Sequence, residues 1–317
     1  MTQYIGHDQP WREWRAALGG ERMHHAWLLA GRRGVGKGPF ALAAARELVG
    51  GSQSGDHPDI LVLAHLPKDD KEAAKRDEGK PYELARNIRI DQIRAMQQRL
   101  TTRPTVGERR AVIIDPADDL EPNAANALLK SLEEPPAGTF FLLVAHRLGR
   151  LLPTIRSRCR VLRFPQVEAN EIDAILRREA PTADAPTRAA AIAAAGGSPG
   201  AAIDFVDMGL GELHRLMQAL MREGDADFAK RGAMAEAIGA RPDRPRQLAA
   251  IELARAVVAE AMRDTGLAAI PALADVHTEL SVLAAQAPTY NYDPGLLVME
   301  IGSLLATLGA PSEPAHG

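Results

Sequence analysis

Short apolar runs alternate with polar, helix-like stretches through the first half of the chain. Each run is four to six residues long and almost unbroken, which is typical of strands buried on both faces of a parallel sheet. The runs are Ala26–Ala30, Ile60–Ala64, Ala111–Ile114, Phe140–Ala145 and Val161–Phe164. The stretches between them are long enough to supply crossover helices. The pattern therefore predicts an α/β fold with a five-stranded parallel sheet over residues 1–165.

Capping and breaking residues predict where several of these helices begin and end. A first helix begins near Asp8 and stops at Gly19, which starts a Gly-Gly pair. Asp91, in the pair Ile90-Asp91, is positioned to cap a later helix. Another helix opens at Asn123 and ends before Pro135, because two consecutive prolines cannot continue it.

Residues 67–82 (PKDDKEAAKRDEGKPY) mix positive and negative charges without apolar periodicity. Such a segment has no apolar face with which to pack against the sheet. We predict a mobile, solvated loop here, and the sequence assigns it no function.

The second half of the chain has a different pattern. No strand-like run follows Pro165, and the remaining sequence is rich in Ala and Leu at helical spacing. Breaks at Gly196–Gly200, Gly209–Gly211 and Arg241–Pro245 interrupt this pattern, and we predict a small helical domain over 166–206 followed by a larger all-α domain over 207–311. The tail, residues 310–317, is predicted to fray.

Composition narrows the class of protein. Of the 317 residues, 46% are hydrophobic and 25% are charged, which is typical of a folded, soluble protein. Lys and Arg number 38 against 41 Asp and Glu, so bulk positive charge does not drive nucleic-acid binding. The single cysteine, Cys159, excludes an intrachain disulfide and a cysteine-cluster zinc site. The polar N-terminus and the lack of an apolar run of roughly 18 residues predict a cytoplasmic protein with no membrane partner.

A glycine-rich turn with a lysine directly follows the first predicted strand. It contains Gly31, Gly34, Gly36 and Lys37, and a helix-like segment follows. Glycines let backbone amides point inward at an anion, and the helix N-terminus adds its partial positive charge. Lys37 can reach the terminal phosphates of a nucleotide. The alternative, a glycine-rich turn with an incidental lysine, is the less favoured interpretation of this spacing.

The same site lacks groups that chemistry with magnesium needs. Gly38 stands where the phosphate-loop pattern has a Ser or Thr hydroxyl that ligates the metal. Asp115 ends a buried strand and could hold a metal-bound water, but Pro116 stands where hydrolytic enzymes usually have a Glu. Asp118 and Asp119 are predicted to cap or solvate the next helix. The sequence therefore predicts the shape of a nucleotide site without its catalytic groups.

With these motifs, the chain resembles the delta-prime subunits of the bacterial DNA polymerase III clamp loader, which belong to the AAA+ superfamily. The match is dense over about residues 20–165, extends into Gly196–Ala202, and is only generically helical over the last hundred residues. The matching stretches are His25–Leu29 (HAWLL), His57–Asp59 (HPD), Ile90–Arg94 (IDQIR), Ile114–Asp118 (IDPAD), Asn123–Pro136 (NAANALLKSLEEPP) and Ser157–Cys159 (SRC). The resemblance implies an AAA+ fold, with residues 166–206 as its lid and residues 207–311 as an oligomerisation collar.

The resemblance also implies a role for Ser157, Arg158 and Cys159. In clamp loaders the arginine of this motif is presented to the ATP of a neighbouring subunit. A planar, permanently charged guanidinium neutralises charge on the transferring phosphoryl group, so an arginine supplied in trans makes hydrolysis depend on assembly. Composition alone would instead favour a solvated arginine run, and Cys159 is most simply a small buried apolar residue.

Further departures from the family pattern agree with a site that does not turn over. His146 stands near the position of a polar phosphate sensor and is not assigned that role. Residues 199–201 contain no cation where ATP-using relatives place an arginine. The stretch Gly50–Asp56 has no cysteine where many relatives hold a zinc module, so no zinc is expected, since His57 alone cannot hold a metal.

These features lead to one hypothesis and two alternatives. The leading hypothesis is a structural, non-hydrolysing clamp-loader subunit of the polymerase holoenzyme, with weak or absent ATP binding, that lends Arg158 to a neighbour. Its implied partners are the gamma/tau and delta subunits and, indirectly, the sliding clamp and primer-template DNA. The first alternative is an active gamma/tau-like ATPase. The second is a DNA-binding accessory factor that uses Arg103, Arg109 and Arg110, although aromatic residues make up only 4% of the chain.

Overall fold

The structure is a computed structural model that describes residues 7–20, 23–50, 56–239, 242–287 and 292–309. The chain divides into two compact units, Met1–Gln166 and Val167–Gly317. The first unit contains the sheet and ends one residue after the predicted boundary at 165. The finer division of the helical half at residue 206 stays a prediction.

The first unit alternates strands and helices in the order that the apolar runs predict. Its strands are β1 (Ala26–Ala30), β2 (Ile60–Leu63), β3 (Arg110–Ile114), β4 (Thr139–Ala145) and β5 (Arg160–Arg163). Its helices are α1 (Asp8–Leu18), α2 (Lys37–Val49), α3 (Asp70–Asp77), α4 (Ile90–Leu100), α5 (Pro122–Glu133) and the single turn α6 (Pro153–Arg156). Each strand end lies within one residue of its predicted position.

The five strands form one parallel sheet in the order β2-β3-β4-β1-β5. Strands β1 and β3 are buried along their whole length, which explains why their residues are apolar apart from Arg110 at the start of β3. The edge strands are different, because β5 exposes Arg160, Val161 and Arg163. This confirms the predicted α/β fold with a five-stranded parallel sheet.

Helices cover both faces of this sheet and create two apolar cores. On one face, Leu128 of α5 packs among strand residues such as Phe141. On the other face, Trp14 of α1 and Phe40 of α2 pack near Trp27 of β1, and the two indole rings meet edge to face at 5.4 Å. Because helices cover both faces of the sheet, the residues available for chemistry lie at the two ends of the strands. We call each of these ends an edge of the sheet.

The segment 67–82 is not the loop that we predicted from its charges. It contains helix α3, whose N-cap residue Asp69 accepts a hydrogen bond from the backbone N–H of Glu72 at 3.0 Å. The carboxylate of Glu72 is nearly buried, and it accepts hydrogen bonds from Lys75 Nζ and from the backbone N–H of Glu83, both at 2.7 Å. Polar contacts hold this helix, so the prediction from apolar periodicity was wrong.

Two predicted helix starts are also displaced. Helix α4 begins at Ile90, and its N-cap residue is Arg89 rather than Asp91. Gln92 explains the difference, because its side-chain oxygen accepts a hydrogen bond from the Arg89 backbone N–H at 3.0 Å. Helix α5 begins at Pro122, one residue before Asn123, since proline suits the first helical turn.

The second unit is helical in its described residues. Its helices are α7 (Ala169–Glu179), α8 (Ala185–Ala195), α9 (Pro199–Asp207), α10 (Gly211–Glu223), α11 (Ala229–Ile238), α12 (Arg244–Asp264), α13 (Ile270–Gln286) and α14 (Pro294–Gly309). Gly196 ends α8 in the left-handed conformation, and the Ser198 hydroxyl caps α9 by accepting from the Ala201 backbone N–H. One continuous apolar core runs from Val167 to Leu305, so the predicted lid and collar segments share it.

One segment of the described residues, Leu267–Gln286, is long and apolar enough to cross a membrane by length and composition alone, with a mean hydropathy of 1.3. We predicted no such segment from the sequence, because Asp275 and Glu279 interrupt the apolar run. In the structure, helix α13 buries Leu273 and Leu280 in the core of the second unit. The tail, residues 310–317, and residues 51–55 of the expected zinc-module position lie outside the described residues.

Candidate functional site

Gly31 and Asp115, which were predicted as site residues, lie at one edge of the sheet together with His146. Gly31 directly follows β1, Asp115 directly follows β3, and His146 directly follows β4. Because these strands are parallel neighbours, their carboxyl ends lie at the same edge. We call this edge, with the phosphate loop Gly31–Lys37, the carboxyl edge.

The phosphate loop is shaped by close backbone approaches at its glycines. A Cβ atom at Gly31 would lie 2.5 Å from the carbonyl oxygen of Phe164. Gly36 has a φ of 105°, in the left-handed region that favours glycine, and serves as the N-cap residue of α2. The buried His7 ring lies behind this turn and hydrogen-bonds through Nε2 to the Val35 carbonyl oxygen. The loop therefore keeps the tight turn that the glycine spacing predicts.

Lys37 is directed into its own loop. Its side chain is almost fully buried, with a relative exposure of 2%, and Nζ donates to the carbonyl oxygens of Gly31 at 2.7 Å and Arg32 at 2.6 Å. Burial lowers the pKa of Lys37 to about 8, although the charges of Asp115 and Asp118 oppose this shift. The amine thus satisfies loop carbonyls instead of pointing toward the space a phosphate group would need.

Asp115 lies against the position where the hydroxyl is missing. A Cβ atom on Gly38 would lie 2.7 Å from Oδ2 of Asp115, so the carboxylate takes up the space of the absent side chain. Burial raises the pKa of Asp115, and the nearby charge of Lys37 opposes this. These residues do not fit a magnesium–nucleotide complex, since one ligand position has no oxygen and the lysine is already paired. In the described residues, no group of three or more His, Cys, Asp and Glu side chains is arranged to hold a metal.

Asp118 and Asp119 do not cap the next helix as we predicted. The carboxylate of Asp118 accepts hydrogen bonds from the backbone N–H groups of His146 at 2.9 Å and Arg147 at 3.1 Å. Asp119 pairs with His65 at 3.4 Å, and the resulting interaction lowers the pKa of Asp119 against the opposing effect of its burial. The prediction was wrong because Asp118 fixes the turn after β4 and Asp119 pairs with His65, while Glu121 is the N-cap residue of α5.

His146 stands at the end of β4, beside the loop. Burial and, after it, the positive charges of Lys37 and Arg33 together lower its pKa to about 4, while the charge of Asp118 opposes them. The ring is therefore neutral at physiological pH. A neutral imidazole brings no positive charge toward a phosphate group at this position.

Arg158 lies at the opposite end of the sheet from the phosphate loop. It follows α6 and precedes β5, whose first residue, Arg160, pairs in parallel register with Trp27 of β1. Gly31 lies four residues beyond Trp27, so the two levels are separated by about 13 Å along the strands at ~3.3 Å per residue. We call the end that carries Arg158 the amino edge. The geometry separates Arg158 from the loop of its own chain.

Two groups of the same chain hold the Arg158 side chain. Nη1 donates to the carbonyl oxygen of Thr154 at 2.9 Å, and Nη2 forms an ion pair with Glu133 Oε1 at 2.6 Å. The side chain keeps 35% of its surface exposed. Ser157 Oγ donates to the same Thr154 carbonyl oxygen at 3.1 Å, and burial raises the pKa of the Cys159 thiol to about 12. The Cys159 thiol is thus unreactive at neutral pH, and Ser157 braces the turn.

Three residues of these edges were missed by the sequence analysis. His7 and Phe164 lie far from the loop in sequence, and only the folded sheet brings them behind Gly36 and Gly31. Glu133 lies within the matched run Asn123–Pro136, but nothing in its spacing indicates a pairing with an arginine 25 residues later. The run itself was the available signal.

The family model described as "DNA polymerase III, delta subunit" matches residues 6–168 of the chain. DNA polymerase III subunit delta′ of Pseudomonas aeruginosa is 35% identical over 60% of this chain and 58% of its own length. The Escherichia coli protein of the same name is 32% identical over 57% of this chain and 54% of its own length. The chain thus spans a little over half the length of these curated relatives.

A solved structure supports the fold. The DNA polymerase III gamma subunit-related protein of Thermotoga maritima aligns with a TM-score of 0.53, covering 96% of this chain and all of that chain. Sequence identity is only 17%, so the likeness concerns the fold and carries no statement about activity. The likeness agrees with the five-stranded parallel sheet and the helical C-terminal region described above.

Proposed function

The chain belongs to the DNA polymerase III delta-subunit family, where its relatives are delta′ subunits, and on this premise we propose that it is a structural subunit of a sliding-clamp loader. Its proposed task is to supply Arg158 to ATP bound by a neighbouring subunit without hydrolysing ATP itself. It acts in this way during DNA replication, in the cytoplasm.

The observation that carries this proposal is the contrast between Lys37 and Arg158. The Lys37 amine donates hydrogen bonds to carbonyl oxygens of its own loop, and the Asp115 carboxylate lies against Gly38. A nucleotide would have to break these contacts, so ATP binding by this chain is weak or absent. The guanidinium of Arg158, at the amino edge, pairs with Glu133 and keeps 35% of its side-chain surface exposed to solvent.

An arginine supplied in trans has a clear physical role. A guanidinium stays charged at physiological pH and can contact two phosphate oxygens at once. Placed beside the ATP of a neighbour, it neutralises the charge that develops on the transferring phosphoryl group. Hydrolysis in the neighbouring subunit then depends on docking of this chain.

The proposed partners follow from this role. The gamma/tau ATPase subunits would receive Arg158, and the delta subunit would complete the ring. The sliding clamp and primer-template DNA would be reached through the assembly. The helical second unit supplies the additional surface that an oligomerisation collar requires, and no zinc is expected to take part.

The test is ATP hydrolysis by a loader reconstituted with an Arg158→Ala subunit. We expect the rate at the affected site to fall by ~10³-fold, because loss of a finger arginine removes this much of the acceleration. Arg158→Lys should not restore it, since an ammonium lacks the planar fork. Single-turnover hydrolysis in the isolated assembly gives the rate of each site.

Arg156→Ala is the matched control, because Arg156 is an exposed arginine on the preceding turn. Assembly of each variant is checked by size-exclusion chromatography. Normal turnover in a fully assembled Arg158→Ala loader would reject the proposal. ATP hydrolysis by the isolated chain, abolished by Lys37→Ala, would instead support a gamma/tau-like ATPase.

A further inference from the structure

The C-terminal end of α5 is fixed at the amino edge. His25, which precedes β1, donates from its ring Nε2 to the Leu132 carbonyl oxygen at 2.8 Å. Leu132 itself is buried in the core between α5 and the sheet. Glu133, the last residue of the helix, therefore extends its side chain from a backbone that is anchored to the strand beside it.

Glu133 and Thr154 approach Arg158 from two different elements. Thr154 belongs to α6 and offers its backbone carbonyl oxygen, whereas Glu133 ends α5 and offers its carboxylate. A guanidinium carries five N–H donors, and these two contacts engage at most two of them. The remaining donors are available for a phosphate group.

The ion pair contributes little to the stability of the fold, but it restricts the conformations of the Arg158 side chain. Its side chains are exposed by 35% and 46%, and pairs this exposed to water contribute little to folding. An unrestrained arginine populates many rotamers, and binding must then select one of them. A finger that acts on a transition state gains from being held in one geometry before its target arrives.

We propose that Glu133 is a positioning residue for Arg158, which holds the guanidinium at the amino edge so that its free N–H donors meet the phosphate groups of a nucleotide bound by a neighbouring subunit. This rests on the proposed function, since Arg158 must first be the group that contacts that nucleotide. Glu133 does not itself touch the nucleotide.

The experiment measures single-turnover ATP hydrolysis in the reconstituted loader with Glu133→Ala, Glu133→Gln and Glu134→Ala subunits. Glu133→Ala should lower the rate at the affected site by ~10-fold, since small misplacements of a catalytic group cost this much or more. Glu133→Gln keeps an acceptor oxygen, so its loss should be smaller. Glu134→Ala is the matched control, because Glu134 is the adjacent exposed carboxylate, and it should hydrolyse at the normal rate.

A double-mutant cycle separates positioning from general damage. If Glu133 acts through Arg158, adding Glu133→Ala to the Arg158→Ala subunit should lower the rate no further. The ATP concentration for half-saturation should stay unchanged in both backgrounds, because the effect concerns the transition state.

Three results would overturn the proposal. They are a normal or faster rate with Glu133→Ala, an equal loss with Glu134→Ala, and a further ten-fold loss in the Arg158→Ala background. Failure of the proposed function has a different signature, because Arg158→Ala would then have no effect of its own. A normal Glu133→Ala subunit beside an impaired Arg158→Ala subunit would reject only the positioning role.

Discussion

The cationic side chains at the two edges of the sheet differ in burial and in exposure to solvent. At the carboxyl edge, Lys37 is buried and its amine donates hydrogen bonds to the carbonyl oxygens of Gly31 and Arg32 in its own loop. At the amino edge, Arg158 is held by Glu133 and Thr154 but keeps a third of its surface in solvent. Lys37 is therefore paired within its own loop, whereas Arg158 stays partly exposed to solvent.

This contrast teaches that a nucleotide-binding shape and a nucleotide-binding charge can separate within one domain. The loop retains its turn because Gly31 and Gly36 are required by the close approach of Phe164 and His7. The amine of its lysine donates hydrogen bonds to carbonyl oxygens of the same loop, so the turn is held by contacts within the chain. Packing within the chain is thus sufficient to hold the turn in this conformation.

The largest effect expected at the carboxyl edge is a pH dependence of stability caused by Lys37. Its pKa is lowered from 10.5 to about 8, so between these values the unfolded chain holds a proton that the folded chain has lost. The free energy of unfolding should therefore rise with pH across this window, by no more than about 3 kcal/mol. Chemical denaturation of the wild-type chain at a series of pH values measures this slope.

Lys37→Met serves as the control, because it removes the titrating amine and should lower the slope between pH 8 and 10.5. Burial of Cys159 acts in the opposite direction, since its pKa is raised to about 12 and its contribution to stability falls above pH 9. Cys159 is present in both proteins and cancels in the difference. Identical slopes for the two proteins would contradict a buried, shifted lysine.

A smaller effect is expected from filling the space at Gly38. Gly38→Ala places a methyl carbon 2.7 Å from Oδ2 of Asp115. This distance is too short for a carbon–oxygen contact, so the carboxylate must move. Removing the carboxylate with Asp115→Ala should relieve the conflict, and we expect a coupling of about 1–2 kcal/mol between the two changes. Equilibrium unfolding of both single variants and the double variant measures it. Additive changes in free energy would mean that the carboxylate does not occupy this space.

The smallest expected effect is on turnover by the assembled loader. Lys37→Met should change the ATP hydrolysis rate less than two-fold, because Lys37 contributes no charge to the neighbour's site. The Arg158→Ala subunit, measured in parallel, provides the contrasting loss. A comparable loss with Lys37→Met would mean that the carboxyl edge takes part in the chemistry.

The sheet was predictable because its strands are buried on both faces. Strands such as β1 and β3 are apolar there apart from Arg110, which pairs with the buried Asp59, and their runs mark them within one residue. Helix α3 was missed for the opposite reason. Its stability depends on a nearly buried Glu72 that accepts from Lys75 and Glu83, and such contacts leave no periodic signal in the sequence.

The sequence predicted which residues lie at the candidate site, but not the direction in which their side chains point. The spacing of Gly31 to Lys37 and the strand that ends at Asp115 predicted which residues gather at the carboxyl edge. The rotamer of Lys37 was beyond the sequence, because an amine can pair equally well with a phosphate or with a carbonyl oxygen. The pairing of Arg158 with Glu133 depends on how α5 and α6 pack, which no local pattern reports.

The exposed residues of β5 have a consequence for how the chain behaves before it meets a partner. The strand reads Arg160-Val161-Leu162-Arg163, and it forms an outer border of the sheet. If two copies met along this border, a parallel alignment would bring Arg160 against Arg160, and an antiparallel one would bring Arg160 against Arg163. Like charges directly opposite each other repel in either alignment, so this border disfavours edge-to-edge pairing of two copies.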